Sequence, residues 1–169
     1  MIKEIPYEEA APELIRQLGN GGAFLTVRNG KAVNAMTIGW AEIGRIWNCP
    51  ILTVMVRYSR FSYSLIDQSC CFTVSVPADG CLKKELAFFG TKSGRDMDKF
   101  ARTGLETEPA QSIDCPVLSA CHLFFECKTV YRQAMEPATL LADIKEKSYA
   151  DNDYHVLFFG EIEKAYRKI

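Results

Sequence analysis

A chain of 169 residues, 48% apolar and 24% charged, has the size and balance of one globular unit with a substantial core. Its 20 Lys and Arg almost cancel 21 Asp and Glu, which excludes a strongly basic nucleic-acid binder, since that function needs a concentrated cationic face. No apolar run approaches the ~20 residues that cross a bilayer, and the first residues lack the basic-then-apolar order of a signal peptide. The expectation is a cytoplasmic protein with neither nucleic-acid nor membrane partners. The seven cysteines include no C-x-x-C pair and are expected to be buried, reduced thiols; with only His122 and His155 beside them, no metal site is expected.

In chain order, Pro12 is read as opening a helix with Leu14, Ile15 and Leu18 on its apolar side. A hairpin follows, with strands over 24–28 and 31–36 flanking Asn29-Gly30, a pair suited to the positive φ angles of a type I′ turn. The second of these strands is continued through Trp40. Pro50 opens the β-branched run 51–56, which reads as a buried central strand. Ser59 is placed as the cap of a helix to about Gln68, with Phe61 and Leu65 on one face. Phe72, Val74 and Val76 alternate with Thr73 and Ser75, which predicts a strand with a distinct polar face.

Leu82, Leu86 and Phe89 predict a helix stopped by Gly90, and residues 96–102 a shorter one with Met97 and Phe100 inward. Over 123–131, Leu123, Phe125, Cys127 and Tyr131 are assigned to one strand face and Glu126 and Lys128 to the other. Residues 134–153 read as a helix-containing excursion, before a last strand on which Tyr154, Val156, Phe158 and Ile162 alternate. Many strands at hairpin spacing, without regular β-α-β alternation, predict a mainly β, antiparallel barrel with short helices, one domain over 1–169.

Common catalytic signatures are missing. There is no G-x-G-x-x-G, no H-E-x-x-H and no G-x-S-x-G; Gly39 and Gly44 have phosphate-loop spacing, but Arg45-Ile46 stand where Lys and Ser or Thr are required. Asp151 and Asp153 lack the glycine and terminal glutamate of a calcium loop. Two polar stretches remain: Arg57, Tyr58, Ser59, Arg60, Phe61, Ser62 and Tyr63 at a strand-to-helix junction, and Gly90, Thr91, Lys92, Ser93, Gly94 and Arg95 in a donor-rich loop. Either they cradle a phosphate, or Ser59 caps a helix and the cations are solvated.

Four blocks in this order and spacing, 34–40, 50–63, 71–75 and 90–100, with a fifth at 153–155 followed by 159–161, carry a resemblance. The sequence resembles the flavin reductase-like family with the FMN-binding split-barrel fold, and within it the flavoredoxin branch. The resemblance implies a Greek-key-like antiparallel split β-barrel flanked by helices, paired as a homodimer, with FMN near the subunit interface. It sets Asn34, Met36, Thr37, Ile38, Gly39 and Trp40 beside the isoalloxazine ring, with core packing as the alternative for Met36 and Trp40. It sets Arg57, Ser59 and Ser62 at the ribityl phosphate, in the stretch that includes Arg60 and Phe61, with Thr91, Lys92, Ser93 and Lys99 as further candidates. Lys99 has the alternative of a surface pair with Asp96 or Asp98. His155 is the candidate for contact with flavin or substrate, against a structural role; the catalytic residue is otherwise unassigned, and His122 is read as structural. The implied activity is electron transfer from NADH or NADPH through FMN to a flavin, a metal or a protein. An electron carrier without NAD(P)H turnover and a non-redox ligand-binding barrel are the rivals.

Overall fold

The computed structural model describes residues 1–169. Ten strands alternate irregularly with short helices. They are β1 (Ile2–Glu4), α1 (Tyr7–Gly19), β2 (Ala23–Asn29), β3 (Ala32–Ile38), β4 (Ala41–Ile46), β5 (Cys49–Arg57), α2 (Phe61–Ile66) and β6 (Cys71–Val76), followed by α3 (Lys83–Thr91), α4 (Lys99–Thr103), β7 (Thr107–Glu108), β8 (Val117–Leu118), β9 (Leu123–Ala134), α5 (Ala142–Ser148) and β10 (His155–Lys168). Every strand pairing is antiparallel, and the main sheet runs β3-β2-β6-β9-β10-β5-β4, with β1 added to β10. Its two ends, β3 and β4, are joined by Gly39-Trp40 alone and are not paired with each other. The sheet therefore closes around the core but stays split between β3 and β4. Leu25, Met36, Leu52, Val54, Phe72, Val74, Phe125 and Phe158 fill its interior, and a smaller cluster around Phe24, Leu86, Phe89 and Phe124 packs outside.

Several elements depart from the sequence-based expectations for identifiable reasons. Helix α1 begins at Tyr7, not Pro12, because Ile5 is buried and its N–H donates to Ala165 O at 2.9 Å, which fixes the chain's entry one turn earlier. Pro12 lies within the helix on its exposed side, where water can satisfy the carbonyl its missing N–H would have paired. Ala10, Leu14 and Gln17 form the buried face, and Ile15 is exposed. In the first hairpin Asn29 pairs with Ala32, so the two loop residues are Gly30 and Lys31, and only Gly30 has positive φ (58°), the pattern of a type II′ turn. The double positive φ of type I′ falls at Trp47 (52°) and Asn48 (59°), between β4 and β5. That second hairpin was not anticipated, because β4 has only a weak apolar alternation.

The polar face of β6 and Glu126 on β9 turn out to be buried, while Lys128 is exposed. Thr73 Oγ1 donates to Pro116 O at 2.7 Å, and Ser75 Oγ accepts from Leu118 N at 3.1 Å. The fully buried Glu126 accepts from Gln111 N at 2.6 Å, Ser112 N at 2.7 Å and Ser112 Oγ at 2.6 Å. The segment 107–118 thus lies over a face that alternation alone assigns to solvent. A register shift opposite Phe159-Gly160 leaves Val130 as an extra residue and moves Tyr131 off the core face, where it meets Trp47 and Phe159. Of the cysteines, Cys71, Cys115, Cys121 and Cys127 are buried, but Cys70 and Cys81 are exposed and Cys49 is half-buried.

Candidate functional site

Two cavities open at the split in the sheet. The first, of about 230 Å³, is lined by Met36, Thr37, Ile38, Gly39 and Trp40 from the end of β3, Met55 and Arg57 from β5, Arg60, and His155 from β10. The second, of about 200 Å³, is lined by Asn34, Met36, Ser59, Arg60, Phe61, Ser62, Thr91, Lys92, Ser93, Gly94, Arg95 and Lys99. They meet at Met36 and Arg60, forming one continuous cleft. Every residue that the resemblance sets at the site lines one cavity or the other, while Tyr58, Tyr63 and Gly90 of the two polar stretches line neither. Met55 joins them without having been assigned a role, and Gly94 and Arg95 join them from the donor-rich loop.

The first cavity sets an aromatic wall, Trp40 and His155, beside two guanidinium groups, Arg57 and Arg60. Trp40 is 48% exposed, so it is not barrel core; its ring lies 5.3 Å from that of His155. His155 stands directly opposite Arg57 in the β10–β5 register. Its Nδ1 is 2.8 Å from Tyr149 Oη, and Tyr149 also supports Trp40 from 6.5 Å. Burial, helped by the Arg57 charge, pushes His155 down to about 4, so its imidazole is neutral at pH 7. Either Nδ1 or the Tyr149 hydroxyl donates in this contact according to the tautomer; with the hydroxyl as donor, the ring proton sits on Nε2. Tyr149 belongs to the excursion before β10, where no local pattern marks it.

Arg57 does not join the serines at the second cavity. Its guanidinium lies 5.1 Å from the centroid of the Tyr149 ring and donates to Ser148 O (2.7 Å) and Asp153 O (2.8 Å), with Asp151 Oδ1 at 3.4 Å. It clamps the turn that carries Tyr149 and His155. The expected helix cap is also corrected: α2 starts after Arg60 with no side-chain cap, and Ser59 Oγ donates instead to Asp153 Oδ2 at 2.5 Å. Ser62 Oγ accepts from Asn34 Nδ2 at 2.8 Å, which ties α2 to β3. Ile38 belongs to the core cluster and also lines the cleft. Thr37 Oγ1 donates to Leu86 O at 2.6 Å, and Thr91 Oγ1 to Ala87 O at 2.8 Å.

The second cavity is cationic. Arg60, Lys92, Arg95 and Lys99 line it, no carboxylate does, and none of the four forms an ion pair. Arg60 donates to Gly90 O at 2.8 Å and Phe89 O at 3.3 Å, and Arg95 to Ser59 O at 3.0 Å, so both keep N–H groups free. Burial lowers Arg60 from its usual value, with Arg57 adding to the shift. Lys99 is 2% exposed rather than on a helix surface, so the pairing with Asp96 or Asp98 does not form; the Asp98 carboxylate instead caps α4. Gly94 belongs where it is because a Cβ there would meet Phe61 Cδ1 at 2.8 Å and the Asn34 amide closer still. Neighbouring cations without acids cost free energy unless an anion joins them. The chemistry of this donor set fits a phosphate, and the flat aromatic wall beside it fits a planar ring system.

Residues 15–168 match the family model described as a flavin reductase like domain. An FMN-binding domain of a flavin reductases-like enzyme from Shewanella baltica aligns with 99% of this chain and 77% of its own, with a TM-score of 0.68 and 22% identity. The flavoredoxin of Desulfovibrio vulgaris (Miyazaki F) covers 86% of this chain and 68% of its own, at a TM-score of 0.67 and 23% identity. An uncharacterized protein of Archaeoglobus fulgidus is 28% identical over 139 residues, which are 82% of this chain and 68% of that protein. With the family model covering nearly its whole length, and with split-barrel relatives, this chain belongs to the flavin reductase-like domain family.

Proposed function

We propose that this protein binds FMN in the cleft at the barrel split and passes electrons through it from NADH or NADPH to an acceptor. The observation that carries the reading is the carboxylate-free cluster of Arg60, Lys92, Arg95 and Lys99 beside a wall formed by Trp40, Met36 and His155. The second cavity would hold the phosphate, whose charge would neutralise the cluster, and the first, which shares Met36 and Arg60 with it, would hold the ring. Once bound, the isoalloxazine supplies the hydride and electron chemistry.

The chain's own residues bind and orient it. Arg60, Lys92 and Arg95 hold the phosphate, with Ser93, Thr91 and Ser59 at its rim; Gly39 and Ile38 offer backbone groups at the ring edge. His155 supplies a neutral N–H donor whose direction Tyr149 fixes, and Arg57 keeps positive charge near a ring that becomes negative on reduction. Replacing Arg60 with Met removes charge-assisted bonds worth about 1.5–3 kcal/mol, which weakens FMN binding roughly 10- to 150-fold and leaves riboflavin nearly unaffected. Titration of flavin fluorescence measures both. Equal weakening of the two flavins, or of neither, rules out Arg60 as a phosphate ligand; a colourless protein that ignores added FMN ends the flavin reading altogether.

The likeness to a flavoredoxin supports a second reading, an electron carrier with no NAD(P)H turnover of its own. Anaerobic stopped-flow mixing of the flavin-loaded protein with NADH and with NADPH separates them, since a carrier stays oxidised with both. We also propose a homodimer through the exposed face of β4. There Ile15, Ala41, Ile43, Ile46 and Ile51, with Glu42 and Thr53 among them, border a trough of about 480 Å³ beside an unpaired strand edge. No helix is long and apolar enough to cross a membrane, and the seven free thiols suit the reducing cytoplasm.

A further inference from the structure

Lys99 lines the second cavity, yet its ammonium has no donor left for a ligand. Nζ lies 2.5 Å from Ala35 O on β3, 3.3 Å from Lys92 O and 3.4 Å from Phe89 O, three carbonyls for three N–H groups. Two of those carbonyls belong to the end of α3, where backbone acceptors have no partner inside the helix. Arg60 takes Gly90 O there and shares Phe89 O. The bond from Lys99 back to Lys92 joins the two ends of the 92–99 loop that presents Ser93, Gly94 and Arg95. The bond to Ala35 fastens that closed loop to the barrel wall.

We propose that Lys99 is the positioning residue of the anion pocket: its ammonium ties the end of α3, the 92–99 loop and β3 together, so that Arg60, Lys92 and Arg95 converge on a phosphate that Lys99 itself does not touch. The proposal rests on the FMN reading for the identity of the anion but not for the tie. The side chain is buried against the Phe89 ring, 4.9 Å from its centroid. The charge acting on it is Arg60, just before α2, and Lys92 and Arg95 line the same cavity, with no acid supplied by β3 or α3. Burial, with Arg60 adding to it, brings Lys99 down to about 8. An arriving phosphate dianion draws a proton back onto it, so FMN affinity falls as pH rises from 8 to 9 while riboflavin affinity does not.

Hydrogen exchange of the flavin-free protein is the deciding measurement. Lys99→Met is expected to speed exchange of the amides of residues 91–98 before any flavin is present, to weaken FMN roughly 10- to 100-fold, and to leave riboflavin within about twofold. Lys92→Met is expected to weaken FMN with no change in exchange, as befits a direct ligand. Unchanged exchange in Lys99→Met overturns the proposal. Should that variant not fold, Lys99→Arg decides: its planar fork cannot reproduce three converging bonds, so it is expected to show faster loop exchange, and wild-type exchange overturns the tie. Failure of the wild type to bind FMN would remove the anion's identity, while the exchange comparison would still decide what Lys99 holds.

Discussion

At the scale of single residues, the site separates groups that carry charge from groups that direct it. Arg57 and His155 face each other across β5 and β10, and the pair stays singly charged because His155 is pushed down to about 4 by burial and by Arg57. The sign follows directly. Above pH 4 the imidazole is neutral, so its titration does not enter the physiological range, and a second positive charge appears only in acid. Flavin reduction by a nicotinamide is therefore expected to be flat between pH 5.5 and 8 as far as His155 is concerned. His155→Asn keeps a donor and changes the rate without adding or removing a pH-dependent limb. Rates of the wild type and variant, measured across that range, check this; a limb near pH 6.5 that disappears in His155→Asn would show the imidazole to be charged in the flavin-loaded protein.

At the scale of elements, sequence patterns are informative where one physical cause dominates. The apolar run of β5, the alternation of Val156 and Phe158, and the Leu86–Phe89 face of α3 each follow from burial of one side and were legible. Elements set by distant parts of the chain were not. Burial of the β6 polar face and of Glu126 depends on a segment 107–118 whose own strands are two residues long, so nothing local announces it. Tyr131 was assigned to the wrong face because a single extra residue, Val130, reverses the strand's parity beyond it. For the site, family resemblance gathered residues that spacing alone left as an anion cradle or a solvated junction. It did not reveal that Arg57 belongs with His155, or that Tyr149 stands behind both. The bulge has its own test. Gly160 sits beside it, and a Cβ there would lie 2.5 Å from Phe72 Cζ and 2.7 Å from Cys127 Cβ, both fully buried. Gly160→Ala is expected to cost about 1–3 kcal/mol through overpacking, read as a lower urea midpoint at unchanged m-value. An unchanged midpoint would mean that β9 and β10 can slide past each other at this point.

At the scale of the whole molecule, the cleft is assembled from segments that are far apart in the chain: residues 34–40, 55–62, 91–99 and His155. An unfolded chain brings none of them together, so a flavin that binds here stabilises the entire fold by mass action. At a free concentration of one hundred times Kd the gain is about 2.7 kcal/mol, which for a domain of this length raises Tm by roughly 5–10 °C. FMN and riboflavin carry the same ring system, so the difference between their shifts isolates the cationic cavity. FMN is expected to give the larger shift at equal concentration. Added salt should narrow the gap only in part, because screening acts on the solvent-facing Lys92 and Arg95 more than on the half-buried Arg60. Arg60→Met should bring the FMN shift close to that of riboflavin. Thermal unfolding with each flavin, at low and high salt, tests these outcomes together. Equal shifts for the two flavins in the wild type would mean that the carboxylate-free cluster serves some other anion.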